Sequence, residues 1–513
     1  MEQPREISWR IYVICFFSAF GGLTFGYDTG VLGSILTMPH FQEKMAGRDY
    51  LTALEQGTLT SLLLAGCFVG ALLAGQSAEI FSRKRTIMIG CIVFILGAAL
   101  QTGTNGYAMM VTGRAIAGLG IGTLSMIVPL YISELAPKEI RGRLISLQQL
   151  MITVGIMLAF WVNVGTEKYD SDAQFRVPLG IQMGPALILF IGAFFLPYSP
   201  RWLMNKGREE EALTVLADLH GNGDKNHPVV IQEYQEIREQ IEQDRRISNV
   251  NYLELFNARN RRRLFLGIVI QVCQQFTGIN SIMYYAPLIF KQTGIADNSA
   301  TLIASGVNGV LNMLATIPAI LFLDKLGRRK TLMCGALFMG ISMLLCGIVM
   351  GACGEVYWDD VEGKYNIYMG NNIHASYFSI VMVYFFVAGF ATSWGPVGWV
   401  YPAEIFPLNV RAKGTSLSTA ANWLMNFVIS QIVPVMLASI TWGTYIFFGC
   451  CCFVMTIIVF VFYPETKGRS LEEMDIVFQG SVLAFRNKNI PMTQPIGNVE
   501  KGSVAAVSVD AKE

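Results

Sequence analysis

Charged side chains are scarce in this sequence. Of its 513 residues only 15% are charged, while 53% are hydrophobic and the mean hydropathy is +0.45. Because soluble domains carry about 25% charged residues, these values exclude an ordinary soluble enzyme or soluble binding protein. The net charge is only +1, so no overall basic field exists to attract nucleic acid. We therefore expect a protein of the lipid bilayer with no nucleic-acid partner.

Residues that build catalytic and metal sites are also scarce. The chain has only four histidines, and all lie in polar segments: His40, His220, His227 and His374. Ten cysteines are scattered mostly through apolar stretches, without the spacing of a disulfide framework or of CxxC metal ligands. We therefore expect no catalytic residues, no metal, no cofactor and reduced cysteines.

Long apolar runs are what the sequence has in abundance. A hydrocarbon core about 30 Å thick needs roughly 20 apolar residues per helix. Twelve such windows occur, at 11–37, 57–78, 86–104, 107–130, 144–164, 178–197, 264–293, 300–322, 331–352, 377–402, 414–438 and 442–463. The first run is too long, and has no small-residue cleavage site, for a signal peptide. The sequence therefore predicts an all-α polytopic membrane protein with twelve transmembrane helices.

Basic residues indicate how these spans are oriented. Lys and Arg cluster after spans 2, 4, 8 and 10, at 83–85, 138–143, 325–330 and 411–413. By the positive-inside rule these loops are cytoplasmic, and so are both termini. The long polar stretch between spans 6 and 7, which contains helix-like charged segments, lies on the same side. We expect the plasma membrane as the location.

An internal repeat divides the chain into two halves. The sequence E-L-A-P-K-E-I-R at 134–141 returns as E-I-F-P-L-N-V-R at 404–411, and D-K-L-G-R-R-K at 324–330 has a weaker copy at 79–85. Two six-helix halves in the same orientation are typical of alternating-access transporters, which hold substrate between the halves. The predicted organisation is an N-tail 1–10, an N-terminal half 11–197, a cytoplasmic linker with short helices 198–263, a C-terminal half 264–463 and a C-tail 464–513.

The repeated acids and bases allow two interpretations. They could serve topology alone, or they could form a cytoplasmic gate of ion pairs that break when the protein opens. The residues predicted for this gate are Glu134, Arg141, Asp324, Arg328, Arg329, Glu404 and Arg411.

Four motifs resemble those of a known family. They are P-Y-S-P-R at 197–201, Q-Q-F-T-G-I-N at 274–280, D-K-L-G-R-R at 324–329 and P-E-T-K-G at 464–468. Together they are similar to the signature set of the sugar porter branch of the major facilitator superfamily, especially fungal and plant proton-coupled monosaccharide transporters. The resemblance covers about residues 10 to 475.

The sequence departs from this family pattern at two positions. Tyr198 stands where the family usually has an acidic residue, and Ser82 stands where the first-half loop usually has glycine. These two departures bear on the strength of the predicted cytoplasmic gate and not on the fold.

Neutral amides in span 7 suggest a sugar site. Sugar hydroxyls both donate and accept hydrogen bonds, as amides do, and Gln274, Gln275 and Asn280 lie in one apolar window where unpaired amides are costly. The alternative is that they bond neighbouring helices. The family resemblance implies further sugar-contacting residues: Phe25, Gln149, Asn312, Trp399 and Asn422.

Two charges lie inside predicted spans. Asp28 in span 1 and Arg114 in span 4 have opposite signs, so we expect them to pair. A static pair is one interpretation, and a proton relay, which the resemblance supports, is the other. The tract 390–396 lacks the glutamate typical of animal facilitators, with Ala391 in its place. We expect a monomeric symporter that uses the proton as coupling ion and transports a monosaccharide, with glucose as the first candidate substrate. A hexose uniporter and a non-transporting sugar sensor remain as alternatives.

Overall fold

The structure is a computed structural model. It describes residues 8–48, 50–137, 139–246, 252–258, 260–292, 298–359, 364–369, 372–407, 409–468, 474–479 and 483–484. Its twelve segments long and apolar enough to cross a membrane are Trp9–Ile35, Leu54–Ile80, Arg83–Thr102, Tyr107–Leu135, Arg141–Thr166, Ala173–Ala193, Arg261–Tyr284, Ala300–Leu326, Arg328–Cys353, Ile373–Ile405, Arg411–Ser439 and Gly443–Phe462. These are spans 1 to 12 below. The predicted fold class and all twelve spans are confirmed.

Several spans consist of more than one helix. The helices are α1 (Trp9–Ser18), α2 (Phe20–Ile35), α3 (Pro39–Ala46), α4 (Ala53–Ile80), α5 (Arg83–Thr102), α6 (Tyr107–Leu135), α7 (Arg141–Thr166), α8 (Ala173–Ile181), α9 (Met183–Ala193), α10 (Pro200–Asn205), α11 (Glu209–His220), α12 (Pro228–Arg246), α13 (Arg261–Phe276), α14 (Ile279–Tyr284), α15 (Ala286–Gln292), α16 (Asn298–Leu326), α17 (Arg328–Cys353), α18 (Ile373–Thr392), α19 (Trp394–Ile405), α20 (Arg411–Ser439), α21 (Gly443–Phe462) and α22 (Met474–Gln479). A 3₁₀ helix covers Tyr252–Phe256.

The two halves pack in the same pattern. Span 1 packs on span 5 as span 7 packs on span 11, and span 3 packs on span 6 as span 9 packs on span 12. Between the halves, span 2 packs on span 11 and span 5 on span 8. The repeated motifs of the sequence thus correspond to a pseudo-twofold arrangement of the two halves, and these two pairs of spans make the largest contacts between them.

Small residues bring backbones into contact within a half. A Cβ on Gly118 would lie 2.1 Å from the carbonyl oxygen of Leu63, and a Cβ on Gly122 would lie 2.1 Å from that of Cys67. Spans 2 and 4 therefore pack at a distance that larger residues would prevent, as is common between helices in lipid.

Spans 7 and 10 are each interrupted in their second half. In span 7 the chain leaves α13 at Thr277, and Gly278 takes a φ of 89° before α14 begins. Span 10 breaks at Ser393. Pro396 lies in the first turn of α19, where its missing N–H has no helical partner to lose, so the proline is compatible with a helix that begins at Trp394.

The two sides of the molecule carry different connections. Helices α10, α11 and α12 and the 3₁₀ helix follow span 6 on one side, which we call the linker side. The opposite side, the hairpin side, carries the antiparallel strands β1 (Glu355–Asp359) and β2 (Lys364–Tyr368). This hairpin was not predicted from the sequence, and Ile367 anchors it because its side chain is buried.

Candidate functional site: an amide and tryptophan cluster between the halves

Four of the predicted amides form one hydrogen-bonded chain. Asn280 donates to Gln275 Oε1 (2.8 Å), Gln275 donates to Asn422 Oδ1 (3.0 Å), and Asn422 donates to Gln274 Oε1 (2.7 Å). Gln274, Gln275 and Asn422 are buried. Three come from span 7 and Asn422 comes from span 11, so their convergence is a property of the fold.

Gln271 belongs to the same chain, and the sequence analysis missed it. Its Oε1 accepts from Asn422 Nδ2 (2.7 Å), and its Nε2 donates to the Gly398 carbonyl (2.9 Å). Gln274 likewise donates to the Trp394 carbonyl (2.8 Å). Gln271 precedes Gln274 by three residues, and this same-face helical spacing was the available signal. These bonds fasten span 7 to the start of α19.

Aromatic side chains connect the hydrogen-bonded amides to the N-terminal half. Trp399 Nε1 donates to Gln149 Oε1 (3.2 Å), which joins span 10 to span 5. The Phe25 ring of span 1 lies edge-on to Trp399, with centroids 6.3 Å apart, and to Trp423, with centroids 4.9 Å apart. Trp423 Nε1 donates to Ser125 Oγ (3.0 Å) in span 4. The cluster therefore lies at the interface between the halves.

Trp423 and Asn312 lie outside the hydrogen-bonded chain of amides. Trp423 was not predicted, although it follows the predicted Asn422 directly. Asn312 is buried in span 8, but no hydrogen bond in the described part of the chain joins its side chain to the amides, and its Oδ1 has no partner there.

The two charges inside the N-terminal half meet. Arg114 Nη1 lies 3.0 Å from Asp28 Oδ1, and Arg114 Nε donates to the Leu59 carbonyl (3.1 Å). The Asp28 side chain is 0% exposed, and its Oδ2 has no hydrogen-bond partner among the described residues. Asp28 lies one helical turn after Phe25, so span 1 connects this ion pair to the aromatic cluster.

On the linker side, Glu134 is the centre of a buried cluster in the N-terminal half. Arg83 Nη2 donates to Glu134 Oε1 (2.7 Å), and Ser199 Oγ donates to Oε2. Sequence analysis predicted Glu134 but treated Arg83 only as a topology signal and did not assign Ser199.

The C-terminal half repeats this cluster. Arg328 Nη2 donates to Glu404 Oε1 (2.7 Å) and lies 2.9 Å from Asp324 Oδ1, and Thr466 Oγ1 donates to Glu404 Oε2 (2.8 Å). Thr466 takes the place of Ser199, so the P-Y-S and P-E-T motifs have equivalent positions.

The remaining predicted gate arginines contact backbone carbonyls. Arg141 donates to Ala136 (3.3 Å) and Arg411 donates to Phe406 (3.1 Å), which are again equivalent contacts. The Arg329 guanidinium donates to the Phe460 carbonyl.

The halves are in contact on both sides of the amide chain. On the linker side, Asp324 Oδ2 accepts from the Arg143 N–H (3.1 Å). On the hairpin side, Gln431 Nε2 donates to the Gly57 carbonyl (3.3 Å), and a Cβ on Gly33 would lie 2.8 Å from the Tyr284 carbonyl oxygen. This arrangement encloses the cluster between spans of both halves.

Comparison with known proteins agrees with this architecture. The family described as "Sugar (and other) transporter" matches residues 14–478. The MFS glucose transporter mfs1 of Aspergillus flavus is 40% identical, over 93% of this chain and 91% of its own. The high-affinity glucose transporter of Kluyveromyces lactis is 38% identical, over 96% and 90%. The solved proton:xylose symporter XylE of E. coli, bound to 6-bromo-6-deoxy-D-glucose, superposes with a TM-score of 0.77 at 29% identity, covering 91% of this chain and 99% of its own.

Fold and site therefore define a multi-pass membrane transporter rather than an enzyme. The chain belongs to the sugar transporter family of the major facilitator superfamily.

Proposed function

We propose that the protein imports a hexose together with a proton by alternating access, and that glucose is the first candidate for this hexose. The observation that supports this proposal most directly is the chain of amides that ends against Trp399 and Gln149 at the interface between the halves. A site that contacts both halves can change its exposure when the halves rock against each other.

The cluster has the chemistry that a sugar needs. Gln275 and Asn280 present both donors and acceptors, which match hydroxyls that do both. In the described structure these amides satisfy one another, so a sugar replaces amide–amide bonds with amide–hydroxyl bonds. Trp399 supplies an apolar face for ring C–H groups. The unpartnered Asn312 Oδ1 adds an acceptor for one more hydroxyl.

The Asp28–Arg114 pair supports proton coupling. A carboxylate without water needs its cation, and a protonated carboxyl does not, so protonation of Asp28 weakens the attraction to Arg114. Arg114 also donates to the Leu59 carbonyl (3.1 Å), an acceptor whose charge does not change with the protonation of Asp28. Because Asp28 shares span 1 with Phe25, we propose that loosening this pair lets span 1 move with the sugar-bound half.

We place the linker side in the cytoplasm, with both termini there, and the protein in the plasma membrane as a monomer. The distribution of bases supports this orientation: the Arg83, Arg328 and Lys413 clusters all lie on the linker side. Protease digestion of sealed right-side-out vesicles tests this orientation: we expect the linker to be protected and the hairpin-side loops to be cut.

The decisive experiment uses purified protein in liposomes with labelled glucose and an imposed pH gradient. We expect exchange without a gradient and accumulation against a sugar gradient when the outside is more acidic. Exchange without any accumulation under the pH gradient would identify a uniporter. Sugar binding without any exchange would identify a sensor.

A further inference from the structure

Spans 2 and 11 cross on the linker side, outside the two ion-pair clusters. Ser416 Oγ of span 11 donates to the Ala71 carbonyl of span 2 (2.7 Å). One turn nearer the linker, Lys413 Nζ lies 2.8 Å from Glu79 Oε2. Lys413 is nearly buried, with 7% of its side chain exposed, so solvent screens this pair only partly. At this crossing, side chains of span 11 in the C-terminal half bind span 2 in the N-terminal half.

The linker adds a third component to this crossing. The Tyr252 hydroxyl, from the 3₁₀ helix, donates to the Leu72 carbonyl of span 2 (3.3 Å). Lys413 Nζ of span 11 lies 5.9 Å from the centre of the Tyr252 ring, within reach of a cation–π contact. Tyr252 therefore touches span 2 through its hydroxyl and span 11 through its ring.

Two further observations show that this contact is tight. A Cβ on Gly75 would lie 2.7 Å from Ser416 Cβ and 2.9 Å from the Tyr252 hydroxyl, so glycine is what lets the three segments meet. Burial raises the pKa of the Tyr252 hydroxyl, and the nearby Glu79 carboxylate acts in the same direction. The hydroxyl therefore keeps its proton and can donate at any physiological pH.

We propose that Tyr252 is a positioning residue for alternating access: it clamps span 2 to span 11 and holds the linker side closed. The linker is then a working part of the transporter, because opening this side must break the Tyr252–Leu72 bond along with the Ser416–Ala71 bond and the Lys413–Glu79 pair. The proposal rests on the proposed function for its role in transport, but closure itself can be measured without any sugar.

The test is hydrogen exchange of the full-length protein in lipid nanodiscs without sugar. Tyr252→Phe keeps the ring and removes the hydroxyl. Loss of one neutral hydrogen bond is expected to raise exchange about twofold to tenfold at 71–80 and 411–416, because amides there exchange through the open form. Ser416→Ala is a second variant with the same expected direction at the same segments.

Tyr234→Phe is the matched control. The Tyr234 hydroxyl donates to Glu209 within the linker (2.7 Å), so its loss should leave both segments at the wild-type rate. Wild-type exchange at 71–80 and 411–416 in both Tyr252→Phe and Ser416→Ala would overturn the proposal. A rise spread evenly over all spans would also overturn it, since that indicates general loosening.

A second readout separates this inference from the proposed function. In liposomes, Tyr252→Phe should raise the half-saturating glucose concentration at the hairpin face and lower it at the linker face. A variant that is only less stable would instead show a lower transport rate at both faces, with unchanged half-saturating concentrations. A wild-type protein that moves no glucose contradicts the proposed function and leaves the exchange test unaffected.

Discussion

At the scale of single residues, the two departures from the family pattern explain each other. In the C-terminal half, Gly327 has a φ of 88° and Glu465 Oε2 lies 2.5 Å from where its Cβ would be, so the glycine makes room for the carboxylate. In the N-terminal half, Ser82 has a φ of 91° and carries a Cβ. The residue equivalent to Glu465 is Tyr198, whose ring accepts Lys84 as a cation–π partner at 5.1 Å. Ser82 and Tyr198 are therefore a matched pair of replacements.

This matching predicts that the two positions are coupled. Tyr198→Glu alone should lower the thermal stability, because the new carboxylate would meet the Ser82 Cβ. Ser82→Gly alone should change it little, since relief of left-handed strain offsets the lost cap at Arg85. In the double variant the glutamate should fit, with a coupling of about 1 kcal/mol or more in the double-mutant cycle. Melting curves of the four proteins in one detergent measure this, and strictly additive shifts would contradict it.

Gln275 offers a test of the sugar site. Gln275→Ala removes two amide contacts, so that Asn280 Nδ2 and Asn422 Oδ1 each lose their bond to Gln275, at about 1–3 kcal/mol for each unsatisfied atom, while Asn422 Nδ2 keeps its bonds to Gln271 and Gln274. We expect the affinity for glucose to fall at least about tenfold while the protein still inserts. Gln182→Ala is the control, because Gln182 is buried in the other half and its amide has no hydrogen-bond partner among the described residues. Titration calorimetry of both variants checks the prediction, and equal affinities would remove Gln275 from the site.

At the scale of elements, the interruption of span 7 positions the amide chain. Gln274 and Gln275 end α13, and Asn280 begins α14, so the break at Gly278 turns Asn280 back toward Gln275. In a continuous helix, residues five apart would point about 140° apart. The site depends on this break as much as on the amides themselves.

Gly278 should therefore not tolerate a side chain. Its φ of 89° is unfavourable for alanine, and a Cβ there would lie 2.7 Å from the Phe448 ring. Gly278→Ala should reduce the initial rate of glucose uptake about tenfold or more, and Phe448→Ala in the same chain should restore part of it. Gly165→Ala, where a Cβ meets nothing within 4 Å, should transport normally. Uptake by Gly278→Ala at the wild-type rate would show that the break is not needed.

The sequence predicted elements better than contacts. Hydropathy identifies all twelve spans because each must cross the same apolar layer, and the repeat reveals the halves because the motifs recur at equivalent helix ends. The partner Arg83 escaped prediction because a base in a loop has a sufficient explanation in topology. The span 7 break escaped because Gly278 looks like the many other glycines of the spans, and only its φ distinguishes it.

At the scale of the whole molecule, some clusters of polar and charged residues occur in both halves and others in one half. The linker-side clusters occur in both halves, at Glu134 and at Glu404. The Asp28–Arg114 pair occurs in the N-terminal half, while the amide chain belongs to the C-terminal half. One half thus carries the proposed proton site and the other most of the proposed sugar site, and Phe25, one helical turn from Asp28, joins them through its contacts with Trp399 and Trp423.

The last prediction separates symport from uniport. Asparagine imitates the protonated carboxyl of Asp28 but cannot release a proton, so Asp28→Asn should lose accumulation of glucose driven by an inward proton gradient. Exchange of labelled for unlabelled glucose should survive, because exchange requires only that the loaded carrier reorient. Asp218→Asn is the matched control: Asp218 is an exposed linker residue paired with Arg10, and its change should leave accumulation intact. Both assays run on the same liposomes, with and without a pH gradient. If wild-type accumulation is proton-driven and Asp28→Asn still concentrates glucose, the coupling carboxylate is another one, and Glu134, buried beside Arg83, is the next to replace.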